Sequence, residues 1–207
     1  MGMAMTLPAA YSWSPVGQTV TVPFEANAGR RLNVIGGYFS HGAMAGRLEY
    51  ELYLGLPKSS GRKTKGRIVT LPEGVSLEEV GPIDAERLLA FLWRLAGRPA
   101  VHASDWKRVR PLHIWLDNYS VHKSRLIQAA LPALEAADVH LRRLPPYSPE
   151  LSKIEPIWND VKHHEMTTRS SNNILEWRAA ARAALDRKAS RLMAPRHKSS
   201  ESLRAAA

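Results

Sequence analysis

The chain has 207 residues and no cysteine, and its 29 Lys and Arg outnumber 19 Asp and Glu for a formal net charge of +10. That composition excludes disulfides and thiolate metal sites. No run of about 18 apolar residues offers a membrane-spanning helix. The N-terminal stretch has no basic region and too short an apolar run for a signal peptide, so the expectation is a soluble, cytoplasmic protein. Its positive charge suits a phosphate-backbone partner.

In chain order, Pro15-Val16-Gly17 predicts a turn, followed by a short strand near Gln18–Val22. Arg31–Ser40 reads as a strand in which Gly36-Gly37 permits a bulge or a close backbone approach. Arg47–Gly55 alternates Leu48, Tyr50, Leu52 and Leu54 against Glu49, Glu51 and Tyr53. This is the pattern of a half-buried antiparallel strand paired with the preceding one. The basic stretch 57–67, rich in Lys, Arg, Ser and Gly, reads either as an arm touching phosphates or as a solvated loop. Asp84 is placed to cap a helix carrying Leu88, Phe91, Leu92 and Leu95, which Gly97-Arg98-Pro99 ends. The apolar run Leu112–Leu116 predicts a buried parallel strand. A helix from about Val121 to Ala136 and a strand over Val139–Leu144 follow. A helix from about Leu151 to His164 and a last one over Asn173–Leu192 complete the elements, before a tail from Ala194 onward. The division expected is 1–168 for the main domain and 169–207 for a C-terminal helix and basic tail.

Two acidic residues stand out. Asp117 closes the strand Leu112–Leu116, at the carboxyl end where α/β sheets place their chemistry. Glu155 lies near the start of a helix entered through Pro-Pro-Tyr-Ser-Pro-Glu at 145–150. Carboxylates brought together from distant positions are what two-metal phosphoryl chemistry requires. Each also has a plainer reading: Asp117 as a strand-end cap, Glu155 as an exposed helix charge. Asp160 reads as a surface charge and Trp158 as a core anchor. Asn118 is as consistent with forming a turn as with orienting a phosphate. His122 is as consistent with a satisfied surface histidine as with a phosphate contact.

Leu116-Asp117-Asn118, His122, the string Pro145-Pro146-Tyr147-Ser148-Pro149-Glu150-Leu151 and Ile154-Glu155-Pro156-Ile157-Trp158, in this order, resemble the DDE domain of IS630/Tc1/mariner-type transposases. The resemblance runs from about Tyr11 to His164. It implies an RNase H-like α/β fold, a mixed sheet flanked by helices. It also implies DNA, as transposon ends and target, for substrate, a two-ion Mg²⁺ or Mn²⁺ centre, and work as a homodimer. By motif, Asp117 matches the second catalytic carboxylate and Glu155 the third, both as metal ligands, with Asn118 and His122 in support.

The family's first Asp precedes a Trp-x-Pro-x-Gly turn that Trp13-Ser14-Pro15-Val16-Gly17 fits, yet nothing acidic occurs before Glu25. The expectation is therefore a domain truncated at its N-terminus, lacking its first catalytic Asp and the central strand that bears it, and inactive alone. The alternatives are a non-catalytic, DNA-binding remnant and an RNase H-like nuclease unrelated to transposition. The 145–158 motifs argue against the last.

Overall fold

The computed structural model describes residues 1–5, 15–18, 31–55, 71–146, 148–166, 171 and 173–194. Strand β1 (Gly2–Ala4) lies antiparallel to β2 (Arg31–Tyr38), and β2 lies antiparallel to β3 (Leu48–Leu54). Helix α1 (Ala85–Leu95) precedes β4 (Leu112–Leu116), and α2 (Arg125–Ala136) carries the chain to β5 (Val139–Arg143), which runs parallel to β4. A short helix α3 (Glu155–Asp160) continues through a π-helical turn over Val161–Glu165, and α4 (Ile174–Met193) follows. The result is an α/β fold, a mixed set of strands flanked by helices, consistent with an RNase H-like domain.

The strands fall into two groups, β1-β2-β3 and β4-β5. Period-2 alternation sorts their side chains between two helical layers. On β2, Leu32 and Val34 join Trp158, Trp177 and Leu185 in the core beneath α3 and α4. Ile35 points the other way, to Leu88, Phe91, Leu92 and Leu95 of α1. A third cluster packs Leu134 and Val139 with Ala96 and Leu112. Trp177, Ala181, Ala184 and Leu185 are fully buried, so α4 is a wall of the main core. A leucine buried to that degree contributes roughly 1.5–3 kcal/mol relative to leaving it exposed.

Local signals operate where they were expected. Gln18 N–H donates to Pro15 C=O at 3.0 Å, and Gly17 has φ +87°. That closes the 15–17 turn. Asp84 Oδ1 accepts from Arg87 N–H at 2.9 Å, capping α1, and Gly97 at φ +74° ends it. The Gly36-Gly37 pair permits a close approach from both layers. A Cβ on Gly36 would meet Trp158 Cζ2 at 2.6 Å, and one on Gly37 would meet Leu95 Cδ1 at 2.7 Å.

Three expectations need correction. The β4 strand is not buried on both faces: Trp115 is 61% exposed and His113 is exposed too, because only the Leu112/Ile114 face is covered by helices. The helix expected from Leu151 starts at Glu155 and becomes π-helical at Val161. The helix expected from Val121 begins as a 3-10 turn over Ser120–Lys123, and its α-helical part starts after Ser124, whose hydroxyl accepts from Ile127 N–H. The strand expected near Gln18–Val22, apart from Gln18 itself, lies outside the described residues. So do the basic stretch 57–67, Trp13, Tyr147 and the tail beyond Ala194.

Candidate active site

β4 ends at Asp117 because its carboxylate turns the chain. Oδ1 accepts from Tyr119 N–H at 3.0 Å, an Asx-turn that competes with further strand. Asn118 Nδ2 donates to Leu144 C=O at 3.0 Å, tying the carboxyl ends of β4 and β5 together. The 3-10 turn then brings His122 back, with Nδ1 2.9 Å from Asp117 Oδ1 and 3.0 Å from the Asp117 carbonyl oxygen. Both neighbours are acceptors, so Nδ1 carries the proton. Arg143 Nη2 donates to His122 C=O at 3.3 Å, fixing the turn from the next strand. Among the described residues, the second carboxylate oxygen of Asp117 has no hydrogen-bond partner, and the side chain is 58% exposed.

Glu155 opens α3, followed by Pro156, whose fixed φ suits the first turn of a helix. Ile157 and Trp158 are buried and hold this short helix against the sheet. The Glu155 carboxylate is exposed and has no side-chain partner among the described residues. Both Glu155 and Asp117 line one cleft of about 550 Å³, together with Met1, His122, Lys153 and Trp158. The Met1 ammonium donates to Val34 C=O at 2.6 Å within that cleft. Burial lowers its pKa, Lys162 lowers it further, and the Glu155 and Asp117 carboxylates oppose both effects.

Asp160 is not the plain surface charge expected. Its carboxylate meets Lys188 Nζ at 2.6 Å and ties α3 to α4. Trp158, 5% exposed, is a core side chain as expected. Asn118 spends its amide on the β4–β5 junction, and His122 spends Nδ1 on Asp117. The sequence reading overlooked Trp115, although a period of two along β4 puts His113, Trp115 and Asp117 on one face. It also overlooked Arg143 and Lys153, for which local sequence holds no signal.

A hard divalent cation takes carboxylate oxygens and keeps water. Asp117 and Glu155 fit that donor chemistry, each with oxygen uncommitted. Among the described residues no cluster of three or more His, Asp or Glu side chains converges. The set is right in kind and holds two carboxylates.

Residues 75–176, just under half of the chain, match the family model described as DDE superfamily endonuclease. The matched stretch contains α1, β4, α2, β5 and α3, and with them Asp117, Asn118, His122 and Glu155. No curated protein and no solved structure matches the chain.

Proposed function

We propose that this protein is the catalytic domain of a DNA strand-cleaving and strand-transferring enzyme of the IS630/Tc1/mariner transposase type. The observation that carries the reading is the convergence of Asp117 and Glu155 on one cleft from separate elements, inside the stretch similar to DDE endonucleases. Asp117 and Glu155 would hold Mg²⁺ or Mn²⁺, which supplies an activated oxygen nucleophile and stabilises the leaving 3′ oxygen. His122 holds the Asp117 carboxylate in one orientation, and Asn118 and Arg143 hold the turn that carries both. The net charge of +10 favours a DNA backbone as partner, and work on paired DNA ends calls for a dimer.

With two carboxylates lining the cleft among the described residues, cleavage by this chain alone should be weak. The test therefore uses Mn²⁺ binding by calorimetry beside cleavage of a labelled duplex in Mn²⁺. Asp117→Ala and Glu155→Ala should each weaken Mn²⁺ binding at least tenfold and abolish any cleavage. Unchanged binding and cutting in either variant would remove that residue from the site. The second reading, a DNA-binding domain that does not cleave, is favoured by the same shortage of carboxylates. It becomes the answer if duplex binding survives both substitutions and Mn²⁺ binds nowhere in the cleft.

A further inference from the structure

The face of β4 and β5 turned away from the Leu112/Ile114 side is aromatic and polar. Alternation puts His113, Trp115 and Asp117 on it from β4, and the parallel register sets His140 beside His113 and Arg142 beside Trp115. The two imidazoles stack, with ring centroids 4.9 Å apart and planes 23° from parallel. Trp115 is 61% exposed, and among the described residues no ring or cation lies over it. The other described tryptophans are occupied. Arg98 covers Trp93, Trp106 packs against the Leu134 cluster, and Trp158 and Trp177 are buried. One exposed apolar side chain is ordinary by itself. This one stands in a line of rings that passes the candidate site. Asp117 follows two residues later, about 7 Å along the strand. Past the Asx-turn, Tyr119 is 60% exposed, with its ring T-shaped against His122. Trp115, Asp117 and Tyr119 all line the cleft.

Charge decides what such a surface takes. Arg142 is exposed and has no acidic partner among the described residues. Asp138, the acid at the far end of the face, is engaged by Lys107 at 2.9 Å, with His140 Nε2 at 3.8 Å. The strip between Asp138 and Asp117 is thus aromatic and basic. Exposed rings beside arginine suit a nucleic-acid strand whose phosphates meet the cation while its bases stack on the rings. In a duplex the bases stack on one another and offer only their edges in the grooves. An unpaired base offers its face.

We infer that Trp115 is a stacking site for an unpaired base of single-stranded DNA, with Tyr119 a second station on the other side of Asp117 and Arg142 beside the backbone. The strand that reaches Asp117 is then locally unpaired. Stacking itself needs no metal ion; that the stacked strand is the one cut rests on the function proposed above.

The test is anisotropy titration of a short labelled single strand, and of its duplex, with the whole chain in metal-free buffer. Trp115→Ala should weaken single-strand binding about tenfold and leave duplex binding unchanged, and Trp115→Phe should keep most of the affinity. The phosphate contacts are untouched, so the salt dependence should keep its slope. A strand of abasic sites should bind the native and Trp115→Ala proteins alike. Undiminished single-strand binding by Trp115→Ala, equal losses on strand and duplex, or the same loss with the abasic strand overturns the stacking site. A native dimer that Trp115→Ala dissociates in sedimentation puts a second copy on this face and overturns DNA as its occupant. An RNA strand that binds more tightly than the DNA strand, with the same dependence on Trp115, overturns it too. Mn²⁺ calorimetry reads the other proposal separately. A Trp115 effect with no Mn²⁺ bound in the cleft keeps the stacking site and removes the cleavage reading, whereas Mn²⁺ binding without a Trp115 effect removes the stacking site alone.

Discussion

Gly36 shows how a single position can set the geometry around Glu155. It lies on the β2 face toward α3, and the Trp158 ring fills the space a side chain would take, with Cζ2 only 2.6 Å from an added Cβ. Trp158 sits three residues after Glu155 and is 5% exposed, so its ring has little freedom to withdraw. Gly36→Ala should therefore push α3 outward and destabilise the fold by about 1–3 kcal/mol, the usual range for overpacking a tight core. Gly2→Ala, where an added Cβ meets nothing within 4 Å, should change stability by less than about 0.5 kcal/mol. Urea unfolding of both variants checks this, and equal midpoints would show that Trp158 moves aside easily. At the same scale the two carboxylates that line the cleft stand out in the sequence because their signals are local. An Asp ending an apolar strand and a Glu before Pro156 announce themselves without any tertiary contact. The partners that constrain Asp117 were less readable. Arg143 reaches the His122 turn only because β5 lies in register beside β4.

At the scale of elements, α4 is fastened to the rest of the fold by charges that surround its apolar contacts. Glu165, 1% exposed, lies 2.9 Å from Arg191 Nη1 and 3.6 Å from Arg187 Nε. The two arginines are 67% and 44% exposed, so the desolvated partner is the carboxylate. Removing both arginines should strand that charge and cost about 3–5 kcal/mol, whereas Glu165→Met returns the arginines to water and should be close to neutral. Thermal unfolding of the two variants measures the asymmetry, and equal losses would mean that Glu165 is not the costly member. Glu79 forms a second fastening, to Arg178 at 2.5 Å. The Arg178 hydrogen bond, helped by Ser76 N–H, holds the Glu79 pKa below its ordinary 4.5. The pair's stabilisation is thus present above the unfolded-state pKa and disappears as pH falls through the lowered folded-state value. Glu79→Gln should flatten the acid side of the stability profile below about pH 4.5 and leave its slope at pH 7 unchanged. An identical acid limb in both proteins would remove the pair from the account. The existence of α1, α2, α4 and of β2 to β5 was legible from periodicity and caps, whereas β1, three residues at Gly2–Ala4, is too short to carry such a pattern. The π-helical turn over Val161–Glu165 was not legible, because helical periodicity does not distinguish it from a continued α-helix.

On the scale of the whole molecule, the division of the strands was legible only in part. Alternation along β3 specified an antiparallel pairing with the apolar stretch of β2, and the apolar run of β4 specified a parallel strand. How the strands divide into β1-β2-β3 and β4-β5 among the described residues is a property of non-local pairing, and no local pattern encodes it. Trp115 was expected inside and lies exposed beside the cleft, because helices cover only the Leu112/Ile114 face of β4. Net charge, by contrast, is fully legible and makes a molecular prediction of its own. A protein of charge +10 that neutralises only two phosphates already loses about tenfold in duplex affinity between 50 and 200 mM salt, from a slope of about −0.9 per phosphate. The loss should be the same for unrelated duplex sequences, because phosphate contacts carry no base information. Asp117→Asn in metal-free buffer should leave binding unchanged or slightly tighter, since it removes a negative charge from the cleft that would face the backbone. Fluorescence anisotropy over a salt series reads all three quantities. Affinity that ignores salt would show that the positive charge is not the contact surface. Weaker binding by the asparagine variant would show that Asp117 supports DNA binding even without a metal ion.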